Sequence, residues 1–221
     1  MARLGHRRRR PGFAGGALSC LGRYRKNLTL VDGDTVDLTN LQRQILHTQA
    51  RVGMAEGNSG QAGTELRSIR KCRWSCSNDS RERRWIALVA AADVVLDCTD
   101  NFATRHAINR ACVHHRKPLV SGAAIRFDGQ ISVYDLRRDD SPCYHCLFPE
   151  GDDVEEVRCA VMGVFAPLTG IIGTMQAAEA LKLLAGIGES LTGRLLLLDT
   201  LDDGMAQRKL QKGCWLRCLR A

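Results

Sequence analysis

The sequence predicts an α/β domain with a doubly wound sheet, and three stretches predict it. Residues 93–97 (DVVLD) form a short, non-alternating apolar run of the kind buried on both faces of a parallel sheet. Residues 28–31 (LTLV) form a second such run, and both end in an acid followed by turn and cap formers. A long uncharged segment then reads as a buried core helix ending near Ala185, with Pro167 at its start and Gly186 just past its end. In an open α/β sheet the carboxyl ends of the strands face the ligand crevice, so acids placed there are candidates for binding a nucleotide or its metal.

The 221 residues give enough chain for a sizeable core, and 44% hydrophobic with 25% charged residues is the composition of a soluble globular domain. The net charge of +8 does not indicate nucleic-acid binding. Residues 1–26 carry eight Arg or Lys and no acid, leaving 24 basic against 24 acidic residues in the remainder. No basic patch with interleaved aromatics occurs elsewhere. Residues 1–26 are expected to be a basic tail with no stable element of its own. They imitate a targeting segment, but the apolar part is short and rich in glycine, so a cytoplasmic location is expected. The uncharged run 159–178 is broken by Pro167 and holds Gly163, Gly170 and Gly173, which argues against a membrane span. Ten scattered cysteines without an export signal point to metal or thiol chemistry rather than to a disulfide framework.

In chain order, the strand at 28–31 ends in Asp32, and residues 41–47 (LQRQILH) are expected to form a short helix. Asp32 is placed to hold a ribose hydroxyl pair, or to serve as a turn residue of VDGD. Residues 56–85 show neither helical nor strand periodicity, and Cys72 and Cys76 have no second ligand pair nearby. After the strand at 93–97, Asp100 is the first candidate for function, with capping of the helix at 102–115 by Asp100 or Asn101 as the plainer role. Residues 118–121 (PLVS), 129–135 (GQISVYD), 194–199 (RLLLLD) and 205–211 read as four further strands. The domain therefore spans 27–213, followed by a tail at 214–221.

Cys143-x-x-Cys146 has the spacing that lets two thiolates meet one tetrahedral ion, and Cys214 and Cys218 offer a second, looser pair. A redox pair or free thiols are the alternatives. Arg43 could reach phosphates or be a plain surface charge. Cys159 could be a nucleophile or a small buried apolar residue.

Taken in order, LTLVDGDTVDLTNLQRQILH, DVVLDCTDN, PLVSGAAIRFDGQISVY, PCYHCLFP and GVFAPLTGIIGTMQAAEALKLLAG resemble the ThiF/MoeB/HesA family, whose members adenylate ubiquitin-fold sulfur carriers. The resemblance covers about two-thirds of the chain. It implies a Rossmann-like domain of the ubiquitin-activating-enzyme type, using ATP, Mg²⁺ and Zn²⁺. It also implies a partner, a carrier protein ending in Gly-Gly, and a homodimer. By position, Asp32 would hold the ribose, Asn40 and Arg43 the phosphates, and Asp100 the Mg²⁺. Cys143, Cys146, Cys214 and Cys218 would ligate zinc, and Cys159 matches a loop cysteine some relatives use in sulfur transfer.

The chain departs from the family pattern in three places. Residues 8–13 (RRRPGF) stand where the family has its glycine-rich loop, so the first strand and that loop are expected to be missing. Glu56 stands where the family has a catalytic lysine in a VGxxK setting. The distal cysteine pair is spaced C-x3-C. The first two departures suit a catalytically silent binding or scaffold homologue as the alternative function. They fall in stretches without periodicity, the pattern that reading-frame lesions leave.

Overall fold

The computed structural model describes residues 27–65, 73–77, 82–150 and 163–213. Within them lie seven strands and five α-helices, in the order β1 (Asn27–Val31), α1 (Glu56–Glu65), β2 (Arg73–Ser77), α2 (Glu82–Ala90), β3 (Val95–Asp97), α3 (Phe102–His114), β4 (Leu119–Ile125), β5 (Asp128–Tyr134), α4 (Tyr144–Leu147), α5 (Ala166–Ala185), β6 (Arg194–Asp199) and β7 (Met205–Lys209). Strands β1 and β2 form a parallel pair, and β3 to β7 form a sheet in sequence order.

The larger sheet is mixed. Its β3–β4 pair is parallel, joined through α3, and every later pair is antiparallel. The change of direction follows from connection length, because β4 and β5 are joined by the two-residue turn Arg126–Phe127 and a loop that short cannot make a parallel crossover. Arg126 takes φ 50°, and bonds from Arg126 N to Gly163 O and from Phe165 N to Arg126 O hold it there.

Helices cover both faces, as expected of a doubly wound domain. On one face Leu28, Val94, Leu96, Val120, Ile131 and Val133 pack with Ala177, Ala180 and Leu184 of α5. On the other, Val31, Val95 and Leu119 pack with Val89 of α2 and with Ile108, Ala111 and Cys112 of α3. The alternation of Val94, Val95 and Leu96 between the two cores explains why DVVLD shows no period of two. Helix α5 lies close on the sheet: a Cβ at Gly129 would come within 2.8 Å of Ile172 and Leu168 side chains, and one at Gly122 within 2.4 Å of Gln176. Pro167 falls in the first turn of α5, and Gly186 closes it in the left-handed conformation at φ 63°.

Two expectations need correction. Residues 41–47 do not form a helix. A 3₁₀ turn at Leu38–Asn40, capped by Asp37, runs into successive turns. The side chains of Gln44 and His47 are instead committed across to α1. Conversely, part of 56–85 is regular, forming α1, β2 and the start of α2. The expected absence of a first strand and glycine-rich loop falls on residues 1–26, outside the described residues.

Candidate functional site

The site is built where β1 and β3 end. Leaving β1, the Asp32 carboxylate accepts from its own loop, with Asp34 N donating to Oδ1 at 3.0 Å. The next turn carries the candidate phosphate contacts, joined to each other: Arg43 Nη2 donates to Asn40 Oδ1 at 2.7 Å. Both are half-buried, so the guanidinium is held by one side while its remaining donors are left for a ligand. The backbone then returns antiparallel to residues 34–36 through Val36 N to Met54 O at 2.8 Å and Glu56 N to Asp34 O at 2.9 Å, which brings the start of α1 beside Asp32 and Asp34.

Glu56 therefore enters the site. Gln44 Nε2 donates to its Oε1 at 2.8 Å, and His47 Nε2 lies 3.7 Å from its Oε2. Burial, opposed by the Gln44 bond, and then the charge and hydrogen bond of Asp32 and the charge of Asp34, push the Glu56 carboxyl up to about 6. Burial also raises Asp34, helped by the charges of Asp32 and Asp100, so Asp100 shares the same field. His47, which shares a 2.8 Å bond with Ser59 Oγ, is lowered chiefly by burial, against the pull of Asp32. Helix α1 can come this close because of its glycines: a Cβ at Gly63 would stand 2.4 Å from Leu46 O.

On the β3 side, Asp97 is fully buried and accepts from Thr99 N at 3.0 Å and Thr99 Oγ1 at 2.7 Å, which turns the chain so that Asp100 is exposed. The helix cap is Asn101, whose Oδ1 accepts from Thr104 N at 2.8 Å. That frees Asp100 from the plainer role. Arg105 fixes the turn from below by donating to Thr99 O, from Nε at 3.0 Å and also from Nη2, and to Gly122 O at 3.4 Å. Gln176, buried on α5, donates to Asp97 O at 2.8 Å and Val120 O at 3.3 Å, tying the ends of β3 and β4 together.

Asp32, Asp34 and Asp100 thus share one electrostatic field at the ends of β1 and β3, and the Arg43–Asn40 pair sits on the loop that follows β1. Sequence reasoning did not single out Asp34, Gln44, His47 and Ser59, or the positioning residues Arg105 and Gln176. The glycine spacing of α1 was the available signal that another backbone approaches there.

The second cluster is at Cys143 and Cys146. Their sulfurs are 3.7 Å apart, and Cys143 N lies 3.5 Å from Cys146 Sγ as a donor. Two thiolates bound at about 2.3 Å to one tetrahedral ion stand about 3.8 Å apart, so this pair has the geometry of half a zinc site. Gly213 lies against Cys146, a Cβ there being 3.6 Å from Sγ. Cys214, Cys218 and the loop residue Cys159 lie outside the described residues. Among the described residues no helix is long and apolar enough to cross a membrane.

Comparison with known proteins gives a consistent result. The ThiF family matches over residues 16–216. The chain is 42% identical over 193 residues to the molybdopterin-synthase adenylyltransferase of Escherichia coli (strain K12), covering 85% of this chain and 76% of that protein. It is 46% identical over 176 residues to the adenylyltransferase and sulfurtransferase MOCS3-1 of Drosophila pseudoobscura pseudoobscura, covering 78% of this chain. It spans only 38% of that relative's length. Among solved structures, E. coli MccB with ATP superposes with TM-score 0.73 at 16% identity, over 89% of this chain and 60% of that one. E. coli MccB with MccA-N7isoASN gives TM-score 0.75 at 17% identity, over 92% and 63%. At these identities the likeness to MccB concerns the fold alone.

Proposed function

The chain belongs to the ThiF family, and from that premise we propose that it adenylates the C-terminal glycine of a ubiquitin-fold sulfur carrier with ATP. A carrier carboxylate oxygen attacks the α-phosphorus, the bond to the bridging oxygen of pyrophosphate breaks, and pyrophosphate leaves with the electron pair, giving an acyl-adenylate. The reaction needs the polyphosphate held in line and its charge neutralised, which is work for positioning and electrostatics.

What supports this reading is the common field of Asp32, Asp34 and Asp100 at the strand ends, with the Arg43–Asn40 pair on the loop that follows β1. On this reading Asp32 takes the ribose hydroxyls, and Arg43, oriented by Asn40, takes phosphate oxygens. The exposed, all-oxygen character of Asp100 and its acidic neighbours fits Mg²⁺, which prefers hard oxygen ligands and would neutralise phosphate charge when bound. The Cys143–Cys146 pair fits half of a structural zinc site, for which the sequence offers Cys214 and Cys218 as the second pair. Cys159 is proposed as a thiol for sulfur transfer. The same reading takes the protein to be a cytoplasmic homodimer serving molybdopterin or thiamine synthesis.

One observation favours a second reading, a catalytically silent scaffold. Glu56 puts an additional acid beside Asp32, where the incoming polyphosphate is also negative. Carrier-dependent exchange of pyrophosphate into ATP, measured on this chain and on Glu56→Lys, separates the two. Exchange by either supports the adenylation site. Absence of exchange in both, from folded protein that binds the carrier, supports the scaffold.

A further inference from the structure

Among the described residues, one set of three ligand-type side chains converges away from the strand-end acids. His106 on α3, His145 on α4 and Glu150 just beyond it bring one ligand atom each to within 4.8 Å of one another. We propose that these three residues form a second metal site, separate from the cysteine pair, for a borderline divalent ion such as Zn²⁺ bound by two imidazoles and a carboxylate. It is independent of the adenylation reading.

The geometry carries the assignment in three ways. First, His106 Nδ1 is 3.8 Å from Glu150 Oε1, too long for a hydrogen bond. Two such ligands about 2.1 Å from a tetrahedral ion stand about 3.4 Å apart, so small side-chain rotations close the site. Second, both rings are already oriented. His106 is buried edge-on to Tyr144, with ring centres 5.3 Å apart, and edge-on to His145 at 5.8 Å, while Glu150 N donates to His145 Nδ1 at 3.4 Å. Third, the donor set is right for the ion: buried imidazole and carboxylate together select zinc-like metals over Mg²⁺. Three protein ligands leave a fourth position open, as in sites that bind water or a substrate atom.

A competitor for the site is also present. Arg110 Nη1 donates to Glu150 Oε1 at 2.6 Å, so the metal must share Glu150 with a guanidinium or displace it. The ion pair predicts affinity tuned downward, and its removal should tighten the site.

The test uses the full chain, stripped of metal and kept reduced, and titrated with Co²⁺. The expected result is one Co²⁺ per chain whose visible bands lack thiolate charge transfer. That ion should bind on the order of 100-fold more weakly in Glu150→Gln, His106→Asn and His145→Gln, and about tenfold more tightly in Arg110→Met. Glu150 is exposed, so Glu150→Gln reports on the site even where the buried His106 variant fails to fold. The proposal is overturned if every Co²⁺ bound shows thiolate charge transfer, or if Glu150→Gln binds Co²⁺ as the parent chain does.

Discussion

Gln44 Nε2 donates to Glu56 Oε1 at 2.8 Å and holds the Glu56 carboxyl within reach of the Asp32 charge. Glu56 occupies the first turn of α1, where the helix N-terminus favours an anion, so local backbone electrostatics accept the residue that the neighbouring acids oppose. The opposition dominates, because burial and the Asp32 and Asp34 charges raise Glu56 from 4.5 to about 6.

This relationship sets a pH dependence. A carboxyl with a raised folded-state value binds its proton more tightly in the folded chain, so stability falls as pH rises from 4.5 to about 6 and stays reduced above that window. Screening by solvent reduces the cost to about 1 kcal/mol. Glu56→Gln, which keeps an acceptor for Gln44, should therefore be more stable than the parent by about that amount at pH 7.5 and equal to it below pH ~4.5. Denaturant unfolding at the two pH values measures both.

Arg43 is predicted to act on the reaction and not on the fold. Arg43→Ala should lower kcat/KM for pyrophosphate exchange by about 10²–10³, as loss of a preorganised charge contact does. Its unfolding midpoint should stay within a degree or two. Asn40→Ala, which removes only the orienting acceptor, should cost less in kcat/KM. Equal losses in the two variants would contradict a role for Asn40 confined to orienting Arg43.

Gln176 and Gly122 should behave as a coupled pair. Gly122→Ala places a Cβ 2.4 Å from Gln176 and should destabilise by about 1–3 kcal/mol. Adding Gln176→Ala relieves the clash, so the double variant should be more stable than the sum of the two single losses. A thermodynamic cycle from denaturant curves reads the coupling, and strict additivity would deny the contact.

The zinc proposed at the cysteine pair would add its binding free energy to folding free energy, so its removal should be felt as lost stability. For a chain of this size each kcal/mol lost lowers Tm by about 2–4 °C. Chelation or Cys143→Ser should lower Tm and release thiol-bound zinc, while Cys112→Ser, at a fully buried thiol on α3 away from the pair, should leave the zinc content unchanged.

The elements readable from sequence were those whose side chains state their own environment. The strand at 95–97 and helix α5 each carry an apolar run, and helices α3 and α5 are bounded by a cap, a proline or a glycine. Helix α1 was not readable. Its sequence EGNSGQAGTE has poor intrinsic helix preference and no apolar stripe, and it is helical because Gly60 and Gly63 let it approach Leu30 and Leu46 closely. Segment 41–47 misled in the opposite direction, since a helix-like pattern was overridden by side-chain bonds from Gln44 and His47 to Glu56 and Ser59. The placement of Asp32 and Asp100 just beyond strand ends was legible because an apolar run closed by an acid and turn formers marks a strand end. Arg105 and Gln176 were not, because they act on backbone carbonyls that no sequence pattern marks.

The most direct test of the account is to look for the acyl-adenylate itself. A ubiquitin-fold carrier ending in Gly-Gly, incubated with this chain, ATP and Mg²⁺, is trapped with hydroxylamine and weighed by mass spectrometry. The account predicts conversion of the C-terminal carboxylate to a hydroxamate, dependent on ATP and abolished by Asp32→Ala or Asp100→Ala. A carrier that binds the folded chain and keeps its carboxylate unmodified, with this chain and with Glu56→Lys alike, would contradict it.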